Sequence, residues 1–467
     1  MSSQSPDDVL RAIWIAHHSD SSATDAVTFS GADPVLPSIF PIGALAGATI
    51  AAAALAAAEV WRGRGGNSQT ITVDLYHAAA EFRSERYIRT PEPPANPWDP
   101  IAGLYPTSDG RFVRIHTNFP HHRDGILALL KCAYDRNAVA VALKTWTAEG
   151  FETAAAQHNL VATMTRSPED WATHSQGKAV AALPLIEVIR IGDAPPKPLP
   201  PATRPLAGVR VLDLTRIIAG PVAARTLAAH GADVLAVTSP YLPAIPVLVI
   251  DTGRGKRQAH IDLNTDAGRA TLENLVRDAD VFLQGYRPGG LAARGFSPER
   301  LATLNPGIIC ATLSAYGHTG PWSDRRGFDS LTQNTNGMNW SEALAAHPQG
   351  LMEKPKELPA QALDHGAGHL LAYGIAVALA RRATEGGSWH VRTSLAQVGH
   401  FLDGLGRVPG GHKANDQTAD DAAKYTEHSQ SGFGPITAIA HAARLSATPS
   451  HYARPAMLLG THPPQWE

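Results

Sequence analysis

The residue best suited to covalent chemistry is Asp364, in LDHGAGH. It stands just ahead of a helical run, with Gly366 and Gly368 giving close access to the backbone. An aspartate in that place is either an N-cap satisfying orphan N–H groups, or a nucleophile that those groups keep ionised and whose oxyanion they can bind. The frequency of aspartate at caps favours the first reading on these residues alone. DTGRGKRQAHIDL places Arg254, Lys256 and Arg257 in a glycine-bearing loop before a strand. Such a loop can bind phosphate, and a merely solvated basic loop has the same spacing. QGYRPGGLAARGF sets Tyr286, Arg287 and a Pro-Gly-Gly turn at a strand's C-terminal end, where open α/β sheets bind ligands. SAYGHTGP, with Tyr316, closes the next strand in the same way.

Other chemistries lack their motifs. The first strand–turn–helix, LDLTRIIAGPVAARTLA, has no G-x-G-x-x-G, so a nicotinamide cofactor is not expected. There is no P-loop and no G-x-S-x-G elbow. The 21 histidines include no H-E-x-x-H, and two cysteines give no paired spacing, so no metal is expected.

These residues need a scaffold, and the chain after APPKPLPPATRPL (Ala194 to Leu206) supplies one. Its prolines stop both helices and central strands, which marks a linker at 196–206. Strands are predicted at Gly208–Leu214, Ala232–Thr238, Ala279–Gln284 and Gly307–Ser314, with helices at Pro221–His230, Asp266–Asp278 and Ser297–Leu304 between them. That alternation predicts an α/β fold with a Rossmann-like parallel sheet covered on both faces, over 207–400. Residues 95–195 read as a smaller α+β domain: a Ser108-Asp109-Gly110 turn joins two strands, and Gly125–Glu149 and Ser167–Ala172 are helical. Residues 1–94 are expected to contribute to the large domain and 401–467 to pack on it as a tail.

Two stretches echo each other. GALAGATIAAAALAAAEVWRGRGGNSQTITVDLYHAA from Gly43 resembles DHGAGHLLAYGIAVALARRATEGGSWHVRTSLAQV from Asp364, with matching Gly65-Gly66 and Gly386-Gly387 turns. The second opens with Asp364; the first has no acid between Asp33 and Glu59.

Composition bounds the class. The chain has 467 residues, 44% hydrophobic and 18% charged, which suits a globular protein of two or three domains. With 40 Lys+Arg against 42 Asp+Glu, no nucleic-acid partner is expected. Cys132 and Cys310 are too few for a disulfide framework, and the acidic start MSSQSPDDVL does not resemble a signal peptide, so a cytoplasmic location is expected. Pro34–Ala58 is long enough to cross a bilayer, but its alanine and glycine content predicts a tightly packed buried helix and no membrane span.

PLAGVRVLDLTRIIAGP, GADVLAV, GRGKRQAHIDLNT, DADVFLQGYRPGGLAARGF, LNPGIICATLSAYGHTGP and RRGFDSLTQNTNGM stand in the order found in family III CoA-transferases, which this chain resembles most densely over about 205–400. The group includes formyl-CoA and carnitine CoA-transferases and alpha-methylacyl-CoA racemase. The resemblance extends to Asp99–Ile115, similar to the family's small-domain hairpin, but with the pieces in an altered order, as in a fused tandem whose halves rebuild one composite fold. It implies that Asp364 is the catalytic aspartate, passing CoA between an acyl-CoA and a small carboxylic acid through an aspartyl-CoA thioester. It also implies coenzyme A as substrate, no metal or ATP, a homodimer, interlocked as in relatives, and Tyr286, Arg294 and Tyr316 in contact with CoA; Arg287 at the strand end and the loop cations Arg254, Lys256 and Arg257 join them as candidates for binding it.

The departures bear on mechanism. Racemases of the family carry Gly-His-Asp where this chain has Gly327-Phe328-Asp329, and phenylalanine cannot exchange a proton. Thr238-Ser239 and Asn264 replace cations common in relatives, and Leu363 replaces the glycine before the aspartate. Transfer is therefore the leading reading; acyl-CoA racemisation or isomerisation and non-catalytic CoA binding are the alternatives.

Overall fold

The computed structural model describes residues 3–287, 289–347 and 354–467. The first quarter of the chain builds β1 (Val27–Ser30), the long helix α1 (Ile42–Gly63), β2 (Ile71–Asp74) and α2 (Leu75–Glu81). An antiparallel sheet of β3 (Gly103–Pro106), β4 (Phe112–Ile115) and β5 (Ala162–Met164) follows, its first two strands joined through the expected turn. Next come β6 (Glu187–Gly192), β7 (Arg210–Leu214), α3 (Ala219–Ala229), β8 (Asp233–Thr238), β9 (Lys256–His260), β10 (Val281–Gln284) and β11 (Ile309–Ser314). The chain continues through α4 (Asp329–Thr335), α5 (Ala362–Glu385), β12 (Ser388–Ser394) and α6 (Leu395–Gly404). It finishes with the hairpin of β13 (Thr426–Ser431) and β14 (Gly434–Ile439), then β15 (Arg444–Leu445), which pairs with β2.

Seven strands form the large sheet in the order β6-β12-β11-β10-β7-β8-β9, parallel except where β6 meets β12. This is the α/β architecture expected from the apolar Val, Ile and Leu runs, which can be buried on both faces only under helices. From β7 the chain winds outward through β8 and β9, then returns to β10 on the other side. That reversal makes a topological switch point, with a crevice beyond the C-terminal ends of the strands.

Several boundaries differ from expectation. The run Gly125–Glu149 is two helices, Pro120–Leu130 and Arg136–Leu143, because Lys131 turns left-handed at the first helix's C-cap. β6 belongs to the large sheet although its residues fall within 95–195; hydrogen bonding to β12 draws it there. Among the described residues one helix, α1, is long and apolar enough to cross a membrane, and 94% of its most apolar window is buried within the protein. It packs along α5, which in turn packs on α3. Gly368 permits that last approach: a Cβ there would stand 2.6 Å from the Ala219 carbonyl oxygen. The proline-rich segment is pinned by Arg64, whose guanidinium donates to the Pro200, Pro205 and Ala207 carbonyls at 2.7–2.9 Å.

The sequence echo is also an echo of structure. β1–α1–β2–α2 and β11–α5–β12–α6 have the same element order, with β1 parallel to β2 and β11 parallel to β12. Each short helix is N-capped by the last residue of its strand, Asp74 or Ser394.

Candidate active site

Two cavities meet at the N-terminus of α5. The first, about 570 Å³, lies at the switch point, walled by residues at or just beyond the ends of β7, β8, β10 and β11: Leu214, Thr238, Gly285 and Ser314. The second, about 770 Å³, lies between the 85–98 segment, helix Pro246–Thr252 and the starts of α4 and α5. Ile217, Ile218, Phe328 and Asp364 belong to both walls. Ile217 holds φ at 76°, a backbone conformation that costs a β-branched residue on the order of 1–3 kcal/mol and clusters at functional sites.

Asp364 is not the helix cap. The cap position is Gln361, so Asp364 sits one turn into α5, and the carboxylate serving the helix start is Asp329, which accepts the Asp364 N–H at 2.8 Å. Asp329 also accepts from Gln333, which holds it in place. The two carboxyls and Glu85 form an acidic cluster in which both aspartates are buried and Glu85 is half-buried. Burial raises the Asp329 carboxyl to about 6. Burial, then the charges of Asp329 and Glu85, push Asp364 well above the ordinary carboxylate range. Each carboxylate thus disfavours ionisation of the other, and the deprotonated form of Asp364 is the one that could act as a nucleophile.

The first cavity is strongly cationic. Five arginines (Arg216, Arg287, Arg294, Arg325 and Arg326) share its wall with two acids, Asp262 and Asp364. Such an array suits a polyphosphate. Tyr286, Arg287 and Arg294 line this cavity, and Pro288 of the predicted Pro-Gly-Gly turn lies outside the described residues. Arg294 donates to the Gly290 carbonyl and, at 3.3 Å, to Asn264. Arg326 donates to His122 Nε2 at 3.0 Å, and burial together with neighbouring positive charge drops that histidine to about 3. The Arg216 guanidinium stacks over Phe119 at 5.2 Å.

Four predicted contacts are not brought to the cleft. Arg254 is buried between Asp251 and Glu427, and Arg257 against Asp233. Lys256 bridges Asp213 and the Pro221 carbonyl, both at 2.8 Å. Desolvation explains the correction: a buried cation at the start of the edge strand β9 must be paired internally, and all three are paired. Tyr316 is likewise buried, packed beneath Gly327 and edge-on to Trp322.

Sequence reasoning overlooked Arg216, Arg325, Arg326, Glu85 and the capping role of Asp329. Arg216 follows β7 directly, the position at which a switch-point ligand is met, and that signal was available. Glu85 arrives from the first quarter of the chain and carried none. The histidine position of the racemase motif is filled by Phe328, whose ring stacks on His116 at 4.0 Å.

Known proteins resemble the same region. Residues 206–403 match CoA-transferase family III. An acetyl-coenzyme A transferase of Hypoxylon pulicicidum is 33% identical over 53% of this chain and 43% of its own length. A succinate–glutarate CoA-transferase of Agrobacterium fabrum is 32% identical over 43% and 53%, and a formyl-CoA:oxalate CoA-transferase of Rhodopseudomonas palustris is 33% identical over 50% and 54%. The chain thus spans about half the length of the curated relatives it matches. The match to CoA-transferase family III covers the strands that wall the cleft and the helix that carries Asp364.

Proposed function

We propose that the protein transfers CoA from an acyl-CoA thioester to a carboxylic acid, with Asp364 as nucleophile. The observation that carries this reading is the position of Asp364 on the shared wall of a cationic cleft and a second, larger cavity. The cleft suits the phosphates of CoA, held by Arg287, Arg294 and Arg216. The second cavity suits the acyl group. The named relatives all act on CoA thioesters.

In the first step the Asp364 carboxylate attacks the thioester carbonyl, and the tetrahedral oxyanion collapses to a mixed anhydride and CoA thiolate. The thiolate then attacks the aspartyl carbonyl of the anhydride, releasing the donor acid and leaving aspartyl-CoA. The acceptor carboxylate attacks that thioester, forming a second anhydride and freeing the thiolate again. Attack of the thiolate on the acceptor's acyl carbon gives the new acyl-CoA and restores the Asp364 carboxylate. One thioester is present at the beginning and one at the end, so the chain needs no outside source of energy. Phe328 offers no proton acceptor at the racemase position, which favours transfer over α-proton exchange. A homodimer in the cytoplasm completes the reading, and sedimentation velocity tests its oligomeric part.

Quenching a mixture of the protein and acyl-CoA with hydroxylamine tests the central step. A hydroxamate on the Asp364 peptide is expected. An unmodified Asp364 with every donor, where CoA binding is demonstrated separately, overturns the proposal.

A further inference from the structure

The second cavity bears on which acids are exchanged. Its volume, about 770 Å³, lies in the range that holds drug-sized ligands. Ile88, Trp98, Ile245, Val247, Leu248 and Leu358 supply an apolar wall drawn from three separate segments. Polar side chains share the wall, among them Arg86, Arg89, Asn118, Glu357 and Gln361; its fully buried atoms without a protein partner are His116 Nδ1, Ser330 Oγ and Glu85 Oε2. Ser330 adjoins Asp329, and Glu85 Oε2 lies 3.4 Å from His365 Nε2, so both unpartnered oxygens belong to residues beside the carboxyl pair. A two-carbon acyl group would leave most of this apolar wall uncovered.

Resting on the transferase reading above, we infer that this cavity selects a bulky apolar acyl group, of medium chain length or larger, over short acids. Each methylene buried there is worth about fourfold in kcat/KM, from ~0.8 kcal/mol per methylene. Octanoyl-CoA is therefore expected to exceed butyryl-CoA by on the order of a hundredfold.

The test pairs turnover with binding. Acetyl-, butyryl-, octanoyl- and dodecanoyl-CoA are compared as donors, and acetate and octanoate are compared by equilibrium dialysis. Val247→Phe, which narrows the cavity, should cut octanoyl transfer at least tenfold with little effect on acetyl transfer. Trp98→Ala, in an exposed loop segment, gives a second variant should the first fail to fold. A preference for octanoyl-CoA, lost in either variant, supports the inference. Equal or better turnover of acetyl-CoA overturns it and leaves CoA transfer standing. Tight octanoate binding with no transfer from any donor keeps the pocket assignment and overturns the transferase reading. Neither binding nor transfer overturns both.

Discussion

The two β–α–β–α copies in this chain are built alike and equipped differently. In the first, Asp33 accepts from the Gly43 and Ala44 N–H groups at 2.9 and 2.8 Å and so caps α1. In the second, Asp329 does the same for α5 by accepting from Asp364. Burial raises both capping carboxyls. What differs is the next layer. Gly43 occupies the place of Asp364 in the echo, and residues 31–41 connect β1 to α1 directly, whereas 315–361 insert α4 and further helix before α5. Among the described residues, no α1 side chain reaches either cavity wall. A capped alanine-rich helix is thus the scaffold of both copies. On the transferase reading proposed above, the chemistry rests on the one added carboxyl, Asp364, and on the cavities beside it.

Removing the carboxyl should have the largest effect. Asp364→Ala is expected to cut transfer by at least about a thousandfold, as loss of a covalent nucleophile does elsewhere, while CoA binding persists. Steady-state kinetics beside calorimetric CoA binding would show it. The reverse graft, Gly43→Asp, sharpens the comparison. A Cβ there would stand 2.7 Å from Asp33 Oδ1, and a second carboxyl would crowd a buried one. A destabilisation of roughly 2–4 kcal/mol by denaturant melt is expected, with no transfer rescued in the Asp364→Ala background. Restored transfer would break the idea that the first copy is scaffold alone.

Asp329→Asn probes the pair. Asparagine keeps an acceptor for the Asp364 N–H but carries no charge, so the Asp364 carboxyl should fall and the acid limb of the kcat/KM profile should move to lower pH. The effect on stability has a definite sign. A carboxyl raised in the fold, here to about 6, binds its proton more tightly than in the unfolded chain. Its stabilising contribution is complete below about pH 4 and is lost as pH rises to 6 and above. The variant should lose less stability than the parent between pH 5 and 7, by about 1 kcal/mol in urea melts at matched pH. The smallest effect belongs to Asp33→Ala, which removes a cap from the copy without the nucleophile. About 1 kcal/mol of stability should go, with kcat unchanged.

How much of this was legible in the sequence divides along the range of the interactions. Strands β7, β8, β10 and β11, the intervening helices, the buried character of α1 and the echo itself are local matters. They follow from apolar periodicity, proline and glycine placement, and composition, which act over a few residues. Asp364, Tyr286, Arg287 and Arg294 could be singled out because each sits at an element end where sheets and helices present groups to ligands. The loop cations went the other way. Spacing shows that Arg254, Lys256 and Arg257 are adjacent, but burial against Asp251, Asp213 and Asp233 depends on which distant carboxylates the fold brings within reach. Only the tertiary structure decided that Asp329 caps α5, that Glu85 and residues 88–98 close the second cavity, and that Asp364 has its proton affinity raised rather than lowered. Desolvation and charge–charge coupling depend on three-dimensional separation, and residues about 280 positions apart in the chain, as Glu85 and Asp364 are, carry no local sign of meeting.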